Sequence, residues 1–312
     1  MTSFEGEDLV LTDAQFRMFR DFFREVCGLF FGDDSRFLLE KRLARRVREL
    51  DVGSFSAYHY MLRKDSSRDE ELVTVIDELT TNETYFFRER NQLNALVREI
   101  LPELLDRRTP GAPPISIWSA GCSSGEEPYT IVMMAQEAGL EPGRDFRVYG
   151  SDISRRMLHK ARQGIYRPNS FRDTDPVMQK RYFEEKDGSW RISGDVKRHV
   201  AFTRVNLLDP SPIALLGTMD VILCRNVIIY FDRETKRQVI DVFSQKLHSG
   251  GYLLLGHAES LINISNAFEL RHLQNDLVYR KPMPGEAIGD GWHLAAEAAI
   301  DANDPGEPEA GR

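Results

Sequence analysis

The turn Ala120-Gly-Cys-Ser-Ser-Gly125 runs directly into Glu126-Glu127-Pro128, and this is where the sequence first offers chemistry. A glycine loop that enters a helix brings a ligand up to free backbone N–H groups, and in dinucleotide and P-loop sites that ligand is a phosphate. Here two carboxylates occupy the first helical turn, which suits the positive helix end but repels a pyrophosphate. No Gly-Lys-Ser/Thr follows, and the spacing is not G-x-G-x-x-G. A cationic small molecule fits such a site, and S-adenosylmethionine, with a sulfonium, an ammonium and no phosphate, has that character. An ordinary strand-to-helix turn with solvated glutamates is the alternative, and this stretch alone leaves both open.

Further polar groups stand where strands should end. Asp152 closes the apolar run Phe146–Gly150 and could hold ribose hydroxyls, or equally cap a helix near Ser154. Arg225 and Asn226 interrupt Met219–Phe231, with Tyr230 close behind. In Thr81-Asn-Glu-Thr84, Phe86, Phe87 and Arg88, hydrogen-bonding groups, apolar rings and a cation share one short segment, which could also be a helix cap with two core aromatics. Lys41, Arg45 and Arg48, widened by Arg42 and Arg46, make a basic ridge suited to an acidic helical partner or simply to solvent. His257-Ala-Glu259 lacks helical zinc spacing, and Cys27, Cys122 and Cys224 form no C-x-x-C pair, so reduced, buried thiols are expected.

The elements that must position these groups are legible from periodicity. Thr12 and Gln15 form a capping box for a helix carrying Phe16, Phe19, Phe23 and Val26 to a stop at Gly28. A second helix, 37–50, buries Leu39, Leu43, Val47 and Leu50; two more cover 54–63 and 69–79. After a helix through Leu105, strands at 115–118, 146–152, 199–205, 219–231 and 252–255 alternate with helices, as in an open α/β sheet. Residues 166–196 break that rhythm, and Asp187-Gly188-Ser189 predicts a small hairpin insertion, a candidate substrate-side flap. From Pro282 on, composition predicts a disordered tail with at most a short helix over 292–300.

At 312 residues and 41% hydrophobic content the chain can bury a large core in two domains plus extensions. A net charge of −8 argues against a general nucleic-acid binder. The N-terminus lacks a signal-like segment and no apolar run reaches spanning length, so a cytoplasmic protein without membrane insertion is expected.

Five segments, in order, resemble one family: Thr80–Glu89, Ser119–Tyr129, Ser151-Asp-Ile153, Val205-Asn-Leu-Leu208 and Cys224-Arg-Asn-Val-Ile-Ile-Tyr-Phe231. Together, across roughly Leu11 to Lys281, they resemble the chemotaxis-receptor glutamate methyltransferases, the CheR family. The resemblance implies an α/β class I S-adenosylmethionine-dependent fold over 79–282 with a β subdomain inserted at about 166–200. It also implies an all-α domain over 1–78 that faces the receptor, leaving an acidic tail over 283–312. Asn82, Thr84, Arg88, Gly121, Glu127, Asp152, Asn206, Leu207, Asn226 and Val227 would hold the cofactor, with Asp152 at the ribose and Asn206 and Leu207 beside the adenine. Arg88 and Tyr230 would stand at the reacting carboxylate, Arg225 would support it, and Lys41, Arg45 and Arg48 would meet the receptor.

The implied partner is the cytoplasmic helical bundle of a methyl-accepting chemoreceptor, approached by a monomer that forms glutamyl methyl esters. The hairpin loop Glu184–Trp190 is shorter than in members that tether to a receptor C-terminal peptide, so recognition of the helical methylation region alone is expected. The alternative is a catalytically silent cofactor-sensing adaptor, against which the intact Asn82, Thr84, Arg88, Asp152 and Asn226 argue. A nicotinamide dehydrogenase is disfavoured by Glu126 and Glu127.

Overall fold

In the computed structural model, which describes residues 9–64 and 68–286, the described part opens with four α-helices. Helix α1 (Asp13–Cys27) starts at the expected capping box, in which Thr12 and Gln15 exchange side-chain and backbone hydrogen bonds, and ends at Gly28 with φ 79°. It buries Phe16, Phe19, Phe22, Phe23 and Cys27 against α2 (Arg36–Glu49), α3 (Phe55–Lys64) and α4 (Arg68–Leu79).

Two details of α2 differ from expectation. Leu50 lies beyond the helix and is exposed, because the buried stripe ends with Val47. Arg42 and Arg46 do not widen the ridge. Arg42 donates to the Leu79 carbonyl at 2.7 Å, and Arg46 grips the buried Glu71, which also accepts from the Tyr58 hydroxyl. Both arginines tie α2 to its neighbours instead of facing a partner.

Helices α5 (Arg90–Ala95) and α6 (Leu101–Asp106) are joined by a π-helical turn just ahead of Pro102. Then come β1 (Ile115–Ala120), α7 (Glu126–Glu137), β2 (Phe146–Asp152) and α8 (Arg155–Gln163). The insertion holds β3 (Ile165–Tyr166), α9 (Pro176–Tyr182), β4 (Phe183–Lys186), β5 (Ser189–Ile192) and α10 (Gly194–Lys197). The main sheet resumes with β6 (Val200–Arg204), followed by α11 (Pro210–Ala214), β7 (Met219–Cys224), α12 (Arg233–Lys246), β8 (Leu247–Leu255), β9 (Glu269–His272) and β10 (Leu277–Arg280).

The seven-stranded sheet has the order β6-β2-β1-β7-β8-β10-β9. Strands β6 through β8 are parallel, and β10 runs antiparallel to both neighbours. The chain leaves β1 toward β2 on one side and returns as β7 on the other, so a crevice opens at the carboxyl ends of β1, β2 and β7. Helices on both faces bury the apolar strands in two core clusters.

The expected hairpin is present: β4 and β5 pair across Asp187 and Gly188, both with positive φ, and with β3 they form a separate three-stranded sheet. Phe86 anchors it, its ring centroid lying 4.7 Å from that of Tyr166 and 4.8 Å from that of Phe183. Two expectations are corrected. The apolar run 219–231 is not one strand: β7 stops at Cys224 and a 3₁₀ turn covers Ile228–Tyr230. The hairpin β9–β10 was not foreseen, since its strands are only four residues long. The helix expected over 292–300 lies outside the described residues.

Candidate active site

The crevice holds a cleft, and each residue expected at the cofactor lines it. At the end of β1 the chain turns sharply, with Gly121 and Cys122 both donating to the Ser151 carbonyl at 2.8 Å. Gly121 has φ 83°, and a Cβ there would run into the Val227 side chain, so this wall comes as close to the opposite loop as a backbone can.

The two glutamates behind the loop part company. Glu126 is buried and accepts from Ser124 and Ser170 hydroxyls at 2.8 and 3.1 Å; burial raises its pKa. It secures the insertion and does not line the cleft. Only Glu127 faces the cleft, where one oxygen accepts from Ser119 Oγ at 2.6 Å and the other pairs with Arg225 at 3.0 Å. The barrier to a pyrophosphate thus rests on one carboxylate, partly balanced by an arginine.

Asp152 stands at the end of β2, where Ser123 N–H donates to one oxygen at 2.7 Å and Ser154 N–H to the other at 2.8 Å. It serves the α8 cap region and the cleft together, so the two sequence alternatives are not exclusive. Burial pushes its carboxyl up to about 6 against the opposing pull of those N–H groups.

Beyond β6, Leu207 and Asn206 line the wall, and the Asn206 amide is occupied within the protein: Nδ2 donates to the Val26 carbonyl and Oδ1 accepts from Leu208 N–H. Past β7, Arg225 is buried, binding Glu127 and Glu89 at 3.0 Å each and the Arg88 carbonyl at 2.7 Å. An arginine clamped by two carboxylates is not a free cation for a substrate. Asn226 follows at φ 59° with its Oδ1 buried and unpartnered among the described residues.

Asn82 and Thr84 line the cleft from the segment after α4, and the Asn82 amide donates to Thr80. That segment is extended loop, not a helix cap, and buries Phe86 and Phe87. Arg88 donates to the Glu83 carbonyl at 3.1 Å and lies 5.7 Å from the Tyr85 ring centroid, its side chain 27% exposed. Tyr230 lines the cleft too. Lys41, Arg45 and Arg48 lie on the exposed side of α2, away from the cleft, and Arg45 is paired with Glu78 and Glu49.

Sequence reasoning missed two contributors. The end of α1 reaches the cleft through Cys27 and Leu29, because Leu29 bridges to Phe231 and Phe30 N–H donates to the Tyr230 carbonyl at 2.9 Å. No local pattern announces that contact. Glu259, which accepts backbone N–H groups from the Asn226–Ile229 loop, did carry a signal: an acid just past the carboxyl end of a buried parallel strand. All three cysteines are buried, and burial raises their thiol pKa values.

Comparison with known proteins matches these parts in order. The model of the CheR methyltransferase all-alpha domain fits residues 14–80, and that of the CheR methyltransferase SAM binding domain fits residues 82–276. Chemotaxis protein methyltransferase 2 of Vibrio cholerae is 40% identical over 282 residues, covering 90% of this chain and 97% of that protein. The chemotaxis protein methyltransferase of Escherichia coli is 35% identical over 270 residues, covering 85% of this chain and 91% of that protein. Among solved structures, magnesium protoporphyrin IX methyltransferase from Synechocystis, with bound SAM, aligns at a TM-score of 0.36 and 15% identity over 88% of this chain and 97% of that one. No helix among the described residues is long and apolar enough to cross a membrane. The chain belongs to the CheR family of chemotaxis methyltransferases, with the α/β fold of class I S-adenosylmethionine-dependent enzymes and S-adenosylmethionine as its cofactor.

Proposed function

We propose that the protein methylates glutamate side chains on the cytoplasmic helical bundle of a chemoreceptor, forming methyl esters, and does so as a monomer without a receptor C-terminal tether. The carrying observation is the make-up of the cleft: among its described lining residues none is His or Lys, and Arg88 and Tyr230 share it. An amine or hydroxyl substrate has to lose a proton, and Glu127 and Asp152, the acids that could take one, are engaged with Ser119, Arg225 and backbone N–H groups; a glutamate, with pKa near ~4.3, is already ionised at neutral pH. What remains for the protein is alignment and exclusion of water.

The cleft fits the cofactor on its own chemistry. Glu127 presents a carboxylate to a cationic methionine portion, Asp152 retains acceptor capacity for hydroxyls, and the unpartnered Asn226 Oδ1 is an acceptor awaiting a donor. When bound, S-adenosylmethionine supplies an electrophilic methyl group on a sulfonium. Arg88 then orients the incoming carboxylate, its own guanidinium steadied by the Glu83 carbonyl, and Tyr230 closes the site. Asn82, Thr84 and Gly121 border the cofactor with Asn206, Leu207, Asn226 and Val227. Arg225 is reassigned: clamped between Glu127 and Glu89, it holds the cofactor-facing carboxylate instead of meeting the substrate.

Outside the cleft, Lys41 and Arg48 offer the acidic receptor surface its cations, and Arg45 joins them by exchanging its internal partners. The tight Asp187–Gly188 turn supports tether independence by leaving the hairpin without a longer recognition loop. Labelled methyl from S-adenosylmethionine should appear as base-labile ester on receptor glutamates and be lost in Arg88→Ala. Unchanged transfer in that variant would refute the role of Arg88, and tight binding of an isolated receptor C-terminal peptide would refute tether independence.

A further inference from the structure

Glu259 follows β8 in a tight turn, its own N–H donating to the Gly256 carbonyl at 2.8 Å. Its carboxylate is buried and saturated by backbone: Oε2 accepts from Gly256 N–H at 2.7 Å and Asn226 N–H at 2.8 Å, while Oε1 accepts from Val227 N–H at 2.9 Å and Ile229 N–H at 3.2 Å. Three of those donors belong to the loop that carries Asn226 and Val227 to the cleft and leads into Tyr230. Asn226 holds a left-handed conformation at φ 59°, and such a residue persists when its surroundings over-determine it.

We propose that Glu259 is a positioning residue for this reaction, the buried carboxylate that sets the Asn226–Ile229 loop so that Asn226, Val227 and Tyr230 face the cleft together. The loop has little slack, since a Cβ on Gly256 would meet the Asn226 backbone nitrogen at 2.9 Å and Val227 already abuts Gly121. Two N–H groups converge on each oxygen, so a glutamine cannot substitute: its amide NH₂ would face two donors. An aspartate keeps the charge but is one methylene short.

The proposal rests on assigning this cleft to the cofactor, and one assay separates the two. The dissociation constant for S-adenosylhomocysteine, measured by calorimetry below the Tm of each variant, is compared for Glu259→Gln, Asp152→Ala and Glu71→Gln. Glu71 is an equally buried carboxylate that holds Arg46 and Tyr58 within the helical unit. Glu259→Gln should weaken binding by roughly ten- to a hundredfold, the equivalent of leaving buried donors unpaired. At saturating cofactor its kcat should fall as well, because Tyr230 rides on the same loop. Glu71→Gln should lower Tm without changing the dissociation constant.

Binding by Glu259→Gln within about twofold of wild type, with Asp152→Ala impaired, overturns the role of Glu259 alone. Equal weakening in Glu71→Gln overturns it as well, by making the effect one of general destabilisation. Unimpaired binding in Asp152→Ala overturns the cleft assignment and the proposal with it. If Glu259→Gln does not fold, Glu259→Asp is read in its place: an intermediate loss supports the proposal, and wild-type affinity overturns it.

Discussion

Asp152, at the carboxyl end of β2, and Glu259, just past β8, are both buried carboxylates that accept backbone N–H groups beside one cleft. Asp152 receives Ser123 N–H on one oxygen and Ser154 N–H on the other, while each Glu259 oxygen receives two donors. A carboxylate has about four lone-pair sites, so Asp152 keeps capacity for ligand hydroxyls and Glu259 keeps none. Burial raises both pKa values. The difference lies in the spare acceptor positions: one acid presents charge to a ligand, and the other spends it on the backbone.

The most damaging test removes the cation that Glu127 in the cleft shares with Glu89 behind it. Arg225→Met leaves the part-buried Glu127 and Glu89 without their shared partner and should lose about 2–3 kcal/mol of stability, measurable by denaturant unfolding. A loss below about 1 kcal/mol would mean the clamp is not what holds Glu127. Next, Gly121→Ala forces the loop set by Glu259 away from the strand side that carries Asp152. S-adenosylhomocysteine binding should weaken by roughly a hundredfold, as expected for a strained backbone plus a clash.

Asp152→Asn sharpens the contrast through pH. Because the native carboxyl titrates at about 6 and the ordinary value is 3.8, the folded protein keeps a proton that the unfolded chain gives up. Asp152 therefore favours folding fully below the ordinary value, and that contribution is lost as pH rises toward about 6, a change of order 2–3 kcal/mol. The difference in Tm between wild type and Asp152→Asn should shift against wild type between about pH 4 and about pH 7. Cofactor affinity should run the other way in wild type, rising through about pH 6 as the acceptor ionises, and stay flat in the asparagine variant. Wild-type affinity that does not change over this range would remove Asp152 from the ribose role.

The smallest effect is Thr12→Ala, which breaks the capping box of α1 and should cost about 1 kcal/mol. S-adenosylhomocysteine affinity should be unchanged, although α1 ends at the cleft, because the cap lies at its opposite end. A coupled loss of affinity would show that the helical unit and the cleft respond as one body.

Local signals were read well where one segment contained the whole cause. The Thr12–Gln15 box, the Gly28 stop, the hairpin turn at Asp187–Gly188 and the strand, loop and helix around Gly121–Gly125 each follow from neighbouring residues. Reading failed where the partner is distant in sequence. Arg42 and Arg46 have the helical spacing of a basic face, yet Leu79 and Glu71 claim them. The run 219–231 is apolar throughout its flanks, yet the strand ends at Cys224 because Glu259 takes the next backbone N–H groups. Glu126 and Glu127 look equivalent in the chain, but one helical step turns Glu126 toward Ser170 and Glu127 toward Arg225.

The sequence by itself determined which groups could do chemistry here: an acid after a glycine loop, an acid at the end of β2, and an arginine and a tyrosine in two separate motifs. Those are properties of residue type and short spacing, and short spacing survives any fold. Tertiary structure alone decided which of these groups are free. Arg225 is paired with Glu89 as well as Glu127, and Glu259 accepts backbone N–H groups from a loop thirty or more residues away in sequence. The α1 terminus was brought to the cleft by a bridge from Leu29 to Phe231. In each case the deciding force is the need of a buried charge or backbone N–H for a partner, and in these cases that partner came from a distant part of the chain.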